Sequence, residues 1–159
     1  MKYLFFVICL LSTTHIELRS QTNEKQKVTP YFAALTVSNI DSAIHWYTHY
    51  LPLKLRNRVN NAQRGFKQAN VENEHILIEL VELKSSVMHD DAVKSLPQGT
   101  RVVGFDKLGF WVADFDACYK EMQSKNATFL GRVVADQVSG KRMFIVTDPD
   151  GNLVQFFEK

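Results

Sequence analysis

No CxxC pair, glycine-rich phosphate loop or Ser-His-Asp arrangement occurs in the sequence, so no local motif points to dithiol redox chemistry, nucleotide binding or serine hydrolysis. Cysteine is scarce: Cys9 and Cys118 are the only two in 159 residues, too few for a disulfide framework. A strong excess of either charge is missing as well. The net charge is +2 and the Lys and Arg residues are scattered, which argues against a nucleic-acid stripe and against a polybasic membrane patch. Long apolar runs are absent too. The longest, YLFFVICLL from Tyr3 to Leu11, is too short to cross a bilayer as a helix. What remains is a chain of 45% hydrophobic and 23% charged residues, enough for one well-buried domain whose expected partner is a small molecule or a second copy of itself.

The apolar run has a specific context. Lys2 precedes it and the polar STTHIELRSQT follows, the order of a secretory signal peptide, so residues 1–20 are expected to be removed and the mature chain to be periplasmic or extracellular. A buried N-terminal strand is the alternative. Removal would take away Lys2, Glu17 and Arg19, leaving a nearly neutral chain with Cys118 as its single thiol. Cys9 is not preceded by the small residue a lipid anchor requires, so no stable membrane anchor is expected. Residues 21–29, QTNEKQKVT, are polar and without periodicity and read as a flexible lead-in to a domain over 30–159.

Within that domain one stretch is written twice. From Tyr31 to Leu51 an alternating run ends at Val37, Asn39 stands at a cap position, and Ile40, Ala43, Ile44, Tyr47 and Leu51 follow at helical spacing. From Asp106 to Asn126 the run ends at Val112, Asp114 takes the cap position, and Phe115, Cys118, Tyr119 and Met122 follow. A period of two that switches to one near 3.6 behind Asn or Asp is a strand-turn-helix unit. Strands are expected after the first helix over 53–59, 65–71 and 75–83, and after the second over 128–134, 142–147 and 152–158. Module one therefore spans 31–84 and module two 107–158. The connection, 85–106, is broken by Asp90, Asp91, Pro97 and Gly99 and has room for a short helix over 92–96. The fold class is α+β, built from two βαβββ modules.

The turn Asp148-Pro149-Asp150-Gly151 before the last strand, the aromatic pair Trp46-Tyr47 in the first helix and the βαβββ repeat together resemble the vicinal oxygen chelate superfamily, which contains glyoxalase I, bleomycin-resistance proteins and extradiol dioxygenases. The resemblance runs from Tyr31 to Glu158. It implies curved sheets around a shared cavity and, in metal-using members, one ligand from the first and one from the last strand of each module. Those positions fall on Phe32 and Glu79 in module one and on Lys107 and Gln155 in module two. Phe32 has no donor atom and an ammonium repels a divalent ion, so no metal and no other cofactor is expected.

Strand alternation reads the same positions independently. If Leu35, Val37, Phe110 and Val112 face the helices, then Phe32, Thr36, Lys107 and Trp111 face the other way, joined by Glu79, Gln155 and Phe157. A mostly apolar surface with a few convergent polar groups is the make-up of a small-ligand site. Phe32, Thr36, Glu79, Lys107, Trp111, Gln155 and Phe157 are the candidate ligand-binding residues, and a Lys107–Glu79 ion pair is expected to stand where the metal would be. Four readings stay open: an exported binding module for a partly apolar organic molecule; a lyase or isomerase with Glu79 as base and Lys107 stabilising an oxyanion; a metal-dependent member of the family with an atypical site; and a structural or dimerising domain whose aromatics fill the core. The family resemblance permits a homodimer. Asn126-Ala127-Thr128 matches a glycosylation acceptor, which matters only in a host that glycosylates exported chains. His45 and His49, at i and i+4, read as a solvated pair, His89-Asp90-Asp91 as a solvated loop, and Cys118 as a small core residue.

Overall fold

The structure, a computed structural model, describes residues 29–98, 100 and 103–159. The expected signal peptide and most of the lead-in lie outside the described residues. Module one runs β1 (Ala33–Thr36), α1 (Ile40–Tyr50), β2 (Lys54–Asn61), β3 (Phe66–Glu72) and β4 (Leu77–Leu83). After a short helix α2 (His89–Val93), module two runs β5 (Lys107–Val112), α3 (Phe115–Ser124), β6 (Thr128–Phe129), β7 (Val134–Ala135), β8 (Arg142–Thr147) and β9 (Leu153–Glu158). The first sheet has the order β1-β4-β3-β2 and the second β5-β9-β8-β6, with β7 also paired to β8. In each, the first strand lies parallel to the last and the rest are antiparallel, so the two sheets repeat one topology.

Both helices start where the caps predict. The Asn39 side chain accepts hydrogen bonds from the backbone N–H groups of Asp41 and Ser42, at 3.0 and 2.9 Å, and Asp114 accepts from Ala117 at 2.9 Å. Glu82 reaches from β4 to accept a third bond from the Ile40 N–H at 2.8 Å, while Lys67 Nζ holds its other oxygen at 2.6 Å. Helix α1 buries Ile40, Ala43, Trp46 and Tyr47, and the sheet beneath contributes Leu35, Val37, Ala69, Val71, Ile78 and Leu80. In module two Phe144 is the centre, with the rings of Phe115, Tyr119, Phe129 and Phe156 all within 5.7 Å of its own. These residues form one continuous core, so each sheet has a helix-covered face and a face the helix leaves free.

Three boundaries differ from the sequence reading. The strand expected over 128–134 is two short ones, because Gly131 between them takes φ +77° and turns the chain out of the sheet. The connecting helix covers His89–Val93 instead of 92–96: Asp90 and Asp91, read as loop residues, occupy its first turn, where acidic side chains favour a helix N-terminus. Strand β2 runs on to Asn61, whose side chain accepts from the Arg64 N–H in a tight turn that Gly65 closes at φ +59°.

The Asp148-Pro149-Asp150-Gly151 turn does more than reverse the chain. Asp148 is 5% exposed; one carboxylate oxygen accepts from the N–H groups of Asp150 and Asn152, and the other from the Asn152 amide and the Tyr47 hydroxyl. Asp150 accepts from the Ser38 N–H and hydroxyl. The Tyr50 hydroxyl donates to the Lys125 carbonyl, and Lys125 Nζ returns a bond to the His49 carbonyl. Helix α1 and the residue Ser38 before it are thereby fastened to module two at the turn before β9 and at the end of α3.

Candidate functional site

On the free face of module one, β1 and β4 pair with Ala34 beside Glu79 and Thr36 beside Val81, and Phe32 stands one alternation before Ala34. Phe32 is 51% exposed, its ring meeting Tyr31 edge-on. Glu79 is half-buried, and Gln68 Nε2 on β3 donates to it at 2.5 Å; Asn70, in register with Glu79, lies 3.4 Å from the same nitrogen. Gln68 and Asn70 escaped the sequence reading because β3 was located without its register. Only the pairing shows that they share a face with Glu79.

Module two repeats the layout with different chemistry. Gly109 lies beside Gln155, Trp111 beside Phe157, and Lys107 one alternation before Gly109. Trp111 is 61% exposed, packs at 5.3 Å against the Phe157 ring, and has Lys141 Nζ over it at 5.6 Å. Gln155 is 2% exposed although it belongs to the free face; its Nε2 donates to the Met143 sulfur at 2.9 Å, and its Oε1 has no partner. Strand alternation places Gly109 on this face with Lys107 and Trp111, whereas Met143 is not among the predicted residues. A Cβ on Gly109 would meet only a Phe157 ring carbon at 3.8 Å, so the glycine leaves an open notch beside the buried amide.

The predicted residues thus form two groups: Phe32, Thr36 and Glu79 on one sheet, and Lys107, Trp111, Gln155 and Phe157 on the other. The expected Lys107–Glu79 ion pair is not formed. Lys107 Nζ lies 3.6 Å from Asp106, its side chain 41% exposed, while Glu79 is bonded to Gln68. Lys107 opens β5 opposite Leu153 at the end of its sheet, with Asp106 as its acidic neighbour, while Glu79 lies on the strands of the other sheet. Two cavities of about 440 and 460 Å³ border the seam between modules, and only the first touches the predicted set, through Thr36. The second includes Cys118, whose thiol pKa burial pushes up, so the residue is no ready nucleophile. His45 and His49 are exposed with rings stacked at 5.5 Å. Among the described residues no three His, Cys, Asp or Glu side chains gather in a metal-holding group.

A duplicated βαβββ domain with an exposed aromatic and a half-buried or buried polar group on each free sheet face defines a recognisable class of protein. A sequence model of the Glyoxalase/Bleomycin resistance protein/Dioxygenase superfamily matches residues 30–156, and the chain belongs to that superfamily. The uncharacterized protein YwbC of Bacillus subtilis (strain 168) is 24% identical over 128 residues, covering 79% of this chain and 93% of its own. Among solved structures, a glyoxalase family protein from Enterococcus faecalis superposes with a TM-score of 0.71 at 15% identity, covering 82% of this chain and 97% of its own. The trypanothione-dependent glyoxalase I of Leishmania major gives 0.62 at 15%, covering 83% and 87%. At such identities the structures establish the fold alone.

The divalent ion of the superfamily's metal-using members does not suit the side chains here. Of the four corresponding positions, Phe32 offers no donor, Lys107 a like charge, and Gln155 only a neutral amide oxygen. Glu79 is the one ordinary carboxylate ligand, and one or two oxygen ligands do not make an open catalytic site.

Proposed function

We propose that the chain is an exported member of this superfamily that binds a small, partly apolar organic molecule on its free sheet faces without a divalent metal. The observation that carries this reading is the exposure of large aromatics near half-buried and buried polar groups: Phe32 lies two residues before Ala34, the register partner of Glu79, and Trp111 two residues after Gly109, the register partner of Gln155. Exposed aromatic surface around a few fixed polar atoms is how small organic ligands are held. Export is supported by Lys2 and the apolar run behind it, and among the described residues no helix is long and apolar enough to cross a membrane.

Four measurements test the proposal, the wild-type protein being purified unheated from its native host. Native mass spectrometry is expected to find an organic adduct, and elemental analysis to find no stoichiometric divalent metal; one tightly held metal per chain refutes the metal-free site. Trp111→Ala is expected to weaken the adduct molecule by roughly 1–3 kcal/mol with the fold intact. Unchanged affinity with a large loss of stability would show the ring to be core. A mature N-terminus near Gln21 supports export, and an intact Met1 on soluble protein rejects it.

A further inference from the structure

The two modules place the same kind of bond at the same place, with its direction reversed. In module one Gln68 pairs with Val81 and its amide donates across the diagonal to Glu79. In module two Met143 holds the position of Gln68, pairing with Phe157, and Gln155 holds that of Glu79. A thioether only accepts, so the Gln155 amide must turn its nitrogen to Met143, and the 2.9 Å contact has that form. This fixes which end of the amide is left over. In module one the carboxylate oxygen bonded to Gln68 receives an N–H; in module two the atom bonded to Met143 is instead the donating nitrogen, and the remaining oxygen, Oε1, has no partner, the in-register residue on β8 being Ile145 where module one has Asn70.

An amide oxygen shielded from water and left without a donor is costly, and few native buried groups are left that way. Relief cannot come from β5, whose in-register residue is Gly109, nor from β8, whose in-register residue is Ile145. Gly109 itself is exposed and carries no side chain over its register partner Gln155, and Lys107 and Trp111, two residues away on either side along β5, are exposed side chains. The Trp111 ring, packed on Phe157, is a flat apolar surface open to solvent.

We infer that the free face of module two takes a flat aromatic molecule bearing an N–H or O–H donor, its ring on the Gly109 notch against Trp111 and its donor on Gln155 Oε1. The inference rests on the small-molecule reading above and names the ligand class. The donor supplies to module two what the Gln68 amide supplies to module one.

The test uses the full mature domain, ¹⁵N-labelled, with indole and 1-methylindole as probes of equal shape that differ in one N–H. Indole is expected to shift the Gly109 backbone amide, the Gln155 side-chain amide and the Trp111 indole N–H saturably, and to bind roughly ten-fold tighter than 1-methylindole. In Gln155→Leu the preference is expected to vanish, whereas Gln155→Glu, which keeps an acceptor, retains it. Equal binding of the two probes to the wild type overturns the donor inference while leaving an aromatic-binding face. No shift at Gly109, Gln155 or Trp111 with either probe overturns both the inference and the binding reading for this face. Shifts at Gly109 and Gln155 that follow protein concentration without any probe would show that a second copy covers the face, and would also overturn the inference.

Discussion

Tyr47→Phe isolates the bond that fastens helix α1 to the turn before β9. Tyr47 is fully buried, and its hydroxyl donates at 3.1 Å to a carboxylate oxygen of Asp148 that also accepts from the Asn152 amide at 2.8 Å. The substitution removes one oxygen and no carbon, so cavity formation is small and the loss is that of one charge-assisted hydrogen bond. Such bonds contribute about 1.5–3 kcal/mol. Three donors remain on Asp148, which places the expected cost near the middle of that range, about 2 kcal/mol, or a fall in Tm of roughly 4–8 °C for a chain of this size. Tyr50→Phe is the matched control: its hydroxyl bonds a neutral carbonyl, that of Lys125, at 2.8 Å in a half-buried place, and should cost about 1 kcal/mol or less. Urea unfolding of the mature domain reads both, with unchanged m-values confirming that only stability moved. If Tyr47→Phe unfolds within about 0.5 kcal/mol of the wild type, or Tyr50→Phe costs more, the Asp148 clasp does not hold the modules as argued.

The same tyrosine sets a pH dependence. Burial first, then the Asp148 charge, hold the Tyr47 hydroxyl well above its ordinary value of 10.0. A group whose folded value is raised contributes stability that is complete below the unfolded value and lost above it, so stability should fall as pH rises past 10, and less steeply in Tyr47→Phe; parallel curves would refute this. Phe144→Ala, which empties the centre of a ring cluster, should cost about 3–5 kcal/mol in the same urea assay, and a cost below about 1 kcal/mol would mean that the aromatic core of module two is loosely packed. Gln155→Leu should leave stability unchanged or raise it by about 1 kcal/mol, because an unpaired buried oxygen is replaced by an apolar group of similar volume; a loss of more than about 2 kcal/mol would show that the amide is structurally satisfied.

The repeat made the fold readable because its signals are local. Asn39 and Asp114 cap helices whichever sheet lies beneath them, and the alternation of Leu35 and Val37 or of Leu108 and Phe110 survives any error in neighbouring strands. Boundaries failed where backbone conformation overrode side-chain pattern, as at Gly131, or where acidic residues taken for loop opened helix α2. The seam was not legible. Asp148 reads as a turn residue from its neighbours, and that its carboxylate also receives the Tyr47 hydroxyl depends on how two distant modules meet.

For the site, alternation assigned every predicted residue to a face, but a face does not supply partners. Pairing Lys107 with Glu79 required distance across modules, and the overlay of four positions carried no such information. Register resolves what alternation could not. Asn70 beside Glu79 and Ile145 beside Gln155 occupy one position of the duplicated unit, as do Gln68 and Met143. Substituting a thioether for an amide at that position reverses the demand on its diagonal partner: Glu79 needs a donor and has one, whereas Gln155 must spend its nitrogen on sulfur and keeps an oxygen in want of one. An apolar residue in place of Gln155 would remove the defect at no cost in packing, so the amide is hard to explain by stability alone. The asymmetry is accounted for if module one completes its own polar centre and module two leaves its centre for a ligand to complete.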